Sequence, residues 1–191
     1  DKLIERIKEQ TFLSDNQIKT VVYWCIASHG HEHMKKFPVF RITGETESGK
    51  SDIANIMRDL SHGRNLDQSK QEEMNFVDAK SWTESGIRNH IDELCKNKKG
   101  ASIILDEADE FPTKFYENFF EQRLSEYRDS GGDKNATRVQ NLYIPVVMTA
   151  HLPLKQATQQ NRTIEIRARI RSFPFEWDGR TYNDDEDMPP A

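Results

Sequence analysis

The sequence predicts an α/β fold: a parallel sheet with helices on both faces, preceded by N-terminal helices. Three observations carry that prediction. Short apolar runs alternate along the chain with stretches of helical periodicity, the order of a parallel sheet with crossover helices. Several of those runs, Ala101-Ser-Ile-Ile-Leu-Asp106 above all, are apolar at successive positions, as strands covered on both faces are. One run, Phe37–Thr43, passes straight into a glycine-bracketed loop followed by an amphipathic helix.

The bulk properties bound the rest. A chain of 191 residues suits one domain and can bury a substantial core. Hydrophobic residues make up 35% and charged residues 31%, so the surface is very polar, but the apolar residues are grouped, unlike those of a disordered chain. No apolar run approaches the roughly 18 to 20 residues that span a bilayer, and no membrane partner is expected. The chain has no signal-peptide core and does not begin with Met, as expected of a piece of a longer protein. Cys25 and Cys95 sit in apolar helical patterns, which argues against a disulfide framework and for a reducing cytoplasm, the host's if the protein is viral. The net charge of −5 resides in residues 176–191, where six acids meet one base. The neutral body therefore neither excludes nor favours nucleic acid.

Each element has its own signal. Asp1–Gln10 is charged, with Leu3, Ile4 and Ile7 on one helical face. Ser14 and Gln17 form a capping box, and Ile18, Val21, Val22, Cys25 and Ile26 keep helical spacing up to Gly30. Phe37–Thr43 is a strand. Ile53, Ile56, Met57 and Leu60 define the next helix, and Asn75–Ala79 a second strand. Thr83 opens a helix with Ile87, Ile91, Leu94 and Cys95 inward, stopped by Gly100. Ala101–Asp106 is the clearest buried strand. Pro112 begins a helix whose apolar side runs through Phe115, Phe119, Phe120, Leu124 and Tyr127. Asp129–Asn141 reads as a Gly-rich polar loop, Leu142–Met148 as a strand, a helix follows from Pro153, and Thr163–Arg167 is a further strand.

The glycine-bracketed loop carries the chemistry. Gly44, Glu45, Thr46, Glu47, Ser48, Gly49, Lys50 and Ser51 fit G-x-x-x-x-G-K-[ST], with the strand before and the helix after that the motif requires. Gly44 and Gly49 let the backbone curl so that successive N–H groups face inward. The helix beginning near Lys50 points its positive end at phosphates. Lys50, expected to be exposed there, adds a point charge for the β- and γ-phosphates, and Ser51 offers a hydroxyl to Mg²⁺. Glu45 and Glu47 are expected to point to solvent.

Asp106 and Glu107 end the buried strand 56 residues after Lys50. Asp106 is expected to hold Mg²⁺ through a water opposite Ser51, and Glu107 to polarise the water attacking the γ-phosphate. Asp106-Glu-Ala-Asp109 spells the DEAD box, but that family separates lysine and acid by a much longer stretch. Ile144–Thr149 is a third strand of the buried type. Ligands of parallel sheets sit at the carboxyl ends of the strands, so Thr149 is placed to meet the γ-phosphate or the attacking water. Arg162 precedes the last strand and is offered as an arginine finger, a kind of residue that often acts from a neighbouring subunit. Its alternative is a surface ion pair.

Taken in order, these elements resemble the ASCE class of P-loop ATPases, and within it the AAA+ ATPases and the related helicase domains of viral and plasmid primase-helicase proteins. The resemblance rests on Gly44–Ser51, Ile103–Glu107, Ile144–Thr149 and Asn161–Arg162, and covers about Phe37 to Phe173. It implies a P-loop NTPase core, an α-β-α sandwich over residues 37–175, after a helical segment 1–36 and before a loosely structured acidic tail 176–191. It implies Walker A roles for Lys50 and Ser51, Walker B roles for Asp106 and Glu107, sensor 1 for Thr149 and the finger for Arg162. ATP and Mg²⁺ are the cofactors implied. A nucleotide, single- or double-stranded DNA and a homo-oligomeric ring are the partners. Only about 20 residues follow the last strand, fewer than the usual helical lid needs, so sensor 2 is unassigned and the boundary with superfamily 3 helicases stays open.

The function expected is an ATP-hydrolysing motor domain of the helicase or translocase type, in replication of a mobile element or virus. The alternative is a non-motor AAA+-like regulatory or protein-remodelling ATPase. Glu107 argues against a small-molecule kinase, which needs no residue dedicated to activating water. His29-Gly-His-Glu-His33 packs three histidines into five residues, but no second cluster completes a tetrahedral metal set. The 129–141 segment, with Lys134 and Arg138, sits where helicases of the resembled type carry a DNA-reaching hairpin; a plain connector is the alternative.

Overall fold

The computed structural model describes residues 2–61, 76–78, 83–96, 102–110, 125–128, 137–152, 154, 157–168, 175–177 and 180–182. Two helices, α1 (Lys2–Gln10) and α2 (Asp15–Ser28), lead into β1 (Val39–Thr43), α3 (Lys50–Leu60), β2 (Phe76–Asp78), α4 (Glu84–Lys96) and β3 (Ile103–Asp106). Then come β4 (Ser125–Arg128), β5 (Thr137–Gln140), β6 (Val146–Ala150), a short α5 (Ala157–Gln160), β7 (Thr163–Arg167), β8 (Phe175–Trp177) and β9 (Arg180–Tyr182).

The main sheet has the strand order β2-β3-β6-β1-β7, and every pairing in it is parallel. All five carboxyl ends therefore lie along one edge. The acid-bearing β3 is not beside the loop-bearing β1, because β6 sits between them.

Strand alternation sorts the core into two layers. Phe40, Ile42, Ile104, Val147 and Ile166 face α2 and α3, packing with Val21, Cys25, Ile53 and Met57. Val39, Ile103, Leu105, Val146 and Met148 face the other way, onto Ile87 and Ile91 of α4. This is the α-β-α sandwich expected. The helical segment 1–36 is no appendage, since Ile7, Leu13, Ile18 and Trp24 belong to the first layer. Each such fully buried side chain contributes roughly 1.5–3 kcal/mol of hydrophobic stabilisation.

Local chemistry places α2 as the sequence required. Ser14 Oγ accepts from the Gln17 N–H and Gln17 Oε1 accepts from the Ser14 N–H, which closes the capping box. The helix stops at Ser28, before Gly30, with His29 at its C-cap. Trp24 Nε1 donates to the Pro38 carbonyl at 2.9 Å, tying α2 to the entrance of β1.

Three expectations give way. Tyr127 lies in a strand, not at the end of a helix begun at Pro112; the stretch 111–124 lies outside the described residues. The 129–141 segment is not all loop, because β5 pairs antiparallel with β4, Glu126 opposite Val139. The tail, expected loose from 176, contains part of an antiparallel hairpin in which Phe175 pairs with Tyr182. Among the described residues no helix is long and apolar enough to cross a membrane.

Candidate nucleotide-binding site

The loop from Gly44 to Gly49 leaves the carboxyl end of β1 and enters α3, with Gly49 at the N-cap. Two positions demand glycine. A Cβ on Gly44 would lie 2.5 Å from Ser48 Oγ and 2.8 Å from the Ala168 carbonyl oxygen, so a side chain has no room. Gly49 has φ +75°, where L side chains are strained. Glu47, with φ 63°, takes the same left-handed conformation without glycine's freedom. Glu45 and Glu47 are exposed, as expected, and so is Thr46, while Ser48 is buried and donates to the Glu45 carbonyl at 2.8 Å.

Lys50 departs from expectation. It is only 9% exposed, because the loop closes over it. Its ammonium donates to the Gly44 carbonyl at 2.9 Å and to the Glu45 carbonyl. Burial holds its pKa below the ordinary lysine value, against the opposing pull of Asp106, Asp109 and Glu107. Ser51 is exposed in the first turn of α3. The N–H groups that open a helix have no intrahelical partner, so the first turn of α3 and the ammonium together suit an anion.

Asp106 ends β3, Glu107 follows it, and β6 brings Thr149 to both. Asp106 and Thr149 follow Ile104 and Val147 by two positions, so both face the α3 side of the sheet. Thr149 is 1% exposed and its hydroxyl donates to Asp106 Oδ1 while accepting from the Glu107 N–H at 2.9 Å. Glu107 has φ 51°, a conformation a non-glycine residue keeps only when its surroundings fix it. The donor set suits magnesium bound to a polyphosphate. A hydroxyl from Ser51 and a carboxylate from Asp106 are the few hard oxygen ligands that ion takes, water filling the rest. Gly44, whose Cβ the cradle excludes, and Lys50 suit the phosphates.

One group was missed in the sequence. Arg41 stands inside the apolar strand β1 and is 3% exposed. Its Nη1 donates to Glu165 Oε2 at 2.8 Å and its Nη2 lies 3.5 Å from Asp109 Oδ1 and donates to the Leu152 carbonyl. Asp109 Oδ2 accepts from the backbone N–H groups of His151 and Leu152. A lone arginine in a strand read as buried on both faces is the signal, since a buried charge needs partners. Beside this network a cavity of about 320 Å³ is walled by Thr43, Gly44, Glu45, His151, Glu165 and Arg167. Gly44 and Glu45 of the loop border this cavity, whereas Lys50, Asp106 and Glu107 do not line it.

Arg162 lies apart from the others. Its carbonyl accepts from the Val39 N–H at the amino end of β1. Four strand steps, about 13 Å, separate that end from Thr43. The three histidines do not converge: His31 is buried with Nδ1 2.9 Å from the Ser28 carbonyl, and His29 Nε2 is 3.1 Å from the Leu60 carbonyl. Among the described residues no group of three or more His, Cys, Asp or Glu side chains is gathered for a metal.

No protein-family model matches the chain, and neither does any curated protein. Solved structures resemble it distantly. NtrX from Brucella abortus in complex with ATP is 13% identical at TM-score 0.46, over 80% of this chain and 34% of that one. The same protein in complex with ADP is 14% identical at TM-score 0.49, over 83% and 37%. C. elegans PCH-2 is 12% identical at TM-score 0.49, over 85% and 44%. The chain thus spans less than half the length of each, and likeness at this level bears on no question of function. The assignment of an α/β fold with a phosphate-type loop rests on the strand order and the loop itself.

Proposed function

We propose that the chain is the ATP-hydrolysing core of a P-loop machine. One observation carries the reading: a G-x-x-x-x-G-K-S loop at the end of β1 and, two strands away, Asp106 and Glu107 held by Thr149 at the same edge of the sheet. Binding alone requires only the loop. The added acid pair supports hydrolysis. In this reading Lys50 leaves the Gly44 and Glu45 carbonyls to hold the phosphates, Ser51 and Asp106 hold Mg²⁺, and Glu107 takes the proton of the attacking water.

The test is Mg²⁺-dependent release of free phosphate from ATP. Lys50→Ala is expected to abolish nucleotide binding or turnover. Glu107→Gln is expected to bind Mg·ATP and turn over about 10²- to 10⁴-fold more slowly, the usual contribution of a general base. Lys50→Ala turning over at the wild-type rate removes the proposal. A phosphorylated acceptor in place of free phosphate replaces it with a kinase reading.

The helicase or translocase form of this reading, in a mobile element or virus, draws support from the β4–β5 hairpin. It is inserted between β3 and β6, where helicases of the resembled type carry a DNA-reaching hairpin. Stimulation of turnover by single-stranded DNA tests it, with double-stranded DNA alongside. Unstimulated turnover favours the regulatory or protein-remodelling alternative.

A further inference from the structure

The hydrolytic reading leaves Asp109 and Arg41 without a role; Arg41 projects from β1 on the face opposite Phe40 and Ile42, and Asp109 meets it there. We infer that Asp109, anchored by Arg41, is a positioning residue that fixes the carboxylate of Glu107. The inference rests on the ATPase reading and deepens it.

Three consecutive residues are held in three different ways. The Glu107 N–H is bonded to Thr149 Oγ1 on the α3 side of the sheet. Ala108, with 0% exposure, is packed in the second core layer. Asp109 bonds the N–H groups of His151 and Leu152 just past the end of β6, and meets Arg41 in β1. The turn Ala108–Glu110 is thus stitched to the exit of β6 from both faces of the sheet. This explains why Glu107 can hold φ 51°, which relaxes once the fixing contacts go.

Arg41 has two carboxylate partners with unequal duties. Glu165 is the closer, at 2.8 Å, but lies on β7 and does not belong to the acid turn. Asp109 is farther, at 3.5 Å, and belongs to that turn. Asn at 109 cannot replace the carboxylate toward both Arg41 and the two N–H groups. The turn then relaxes and Glu107 moves, while the phosphate loop, built on β1 and α3, stays.

The experiment compares Asp109→Asn with Glu165→Gln for turnover, ATP affinity and stability. Displacement of a reacting group by about 1 Å costs about 10²-fold, so Asp109→Asn is expected to lower kcat by that order, with ATP affinity near wild type. Glu165→Gln removes an equivalent charge from Arg41 and is expected to keep kcat within about twofold. In a Glu107→Gln background, Asp109→Asn is expected to add no further loss, because both act through one carboxylate. Parallel losses of kcat and stability in Asp109→Asn and Glu165→Gln mark a merely structural network and overturn the inference. So does an additive loss in the double variant. Should Asp109→Asn fail to fold, Arg41→Lys carries the same test: its ammonium serves one carboxylate at a time, and an unchanged kcat overturns the inference. A wild-type chain that binds Mg·ATP without hydrolysing it overturns the ATPase reading, and this inference with it.

Discussion

The hydroxyl of Thr149 accepts the backbone N–H of Glu107 at 2.9 Å. The same hydroxyl donates to Asp106, so a single buried oxygen orders both the acid that ends β3 and the one that follows it. Its donor and acceptor capacity are both used, and no other atom of the side chain could do either.

Thr149→Val keeps the shape and removes both bonds. It leaves a buried N–H and one carboxylate oxygen short of a partner, so a loss of about 1–3 kcal/mol is expected in urea denaturation. ATP turnover should fall with it, while Thr149→Ser retains both. A valine variant as stable and as active as wild type would show that the hydroxyl orders nothing.

Gly44→Ala is expected to abolish nucleotide binding. The new Cβ meets Ser48 Oγ at 2.5 Å and the Ala168 carbonyl at 2.8 Å. Ser48 can rotate, but the backbone of residue 168 cannot, because the Ala168 N–H is bonded to the Thr43 carbonyl at 2.7 Å. Gly49→Ala is the milder change. Its Cβ meets nothing nearer than 3.7 Å, and only the left-handed φ opposes it, by about 1–2 kcal/mol. Titration with a fluorescent nucleotide should rank the two in that order, and equal affinities would contradict the packing at Gly44.

What was legible in the sequence is what local spacing decides. The Ser14–Gln17 capping box, the loop and the strand ending in Asp106 each need only a few neighbouring residues, and each stands where its pattern put it. The Arg41 network was illegible because its members lie 68 and 124 residues away in the chain. Only the sheet order brings them together. The burial of Lys50 is illegible for a related reason: it follows from the loop closing upon it, which no residue type announces. At 125–128 the aromatic spacing begun at Phe115 ran on to Tyr127, yet pairing with β5 across an intervening segment decided for strand.

Cys25 supplies a test of the packing between α2 and α3. It is 2% exposed, and burial pushes its thiol up to about 12 from 9.0. The thiolate is the reactive form, so Cys25 should resist alkylation at neutral pH until α2 opens. The sign of the pH dependence follows. The unfolded thiol loses its proton first, so stability is full below 9.0 and declines as pH rises toward 12. Thiol labelling followed by peptide mapping checks this, and rapid labelling of Cys25 in the folded chain contradicts it.

Arg162 poses the sharpest question about assembly. It stands at the amino end of the sheet, bonded through its carbonyl to Val39, while Lys50 and the acids cluster at the carboxyl end. About 13 Å of strand between Val39 and Thr43 argues against a finger role within one chain. A finger role is instead expected across a subunit boundary, where such residues contribute about 10³-fold or more to turnover. Activity per chain is then expected to rise with protein concentration, or with a nucleic acid that templates a ring. Arg162→Ala should bind ATP as wild type does and lose that rise. Mixing it with Lys50→Ala is decisive. A mixed interface can set the intact loop of one chain beside the intact Arg162 of another, so part of the activity should return. Two outcomes remove the finger: full activity of Arg162→Ala, or a mixture that stays inactive although sedimentation shows both variants in one complex.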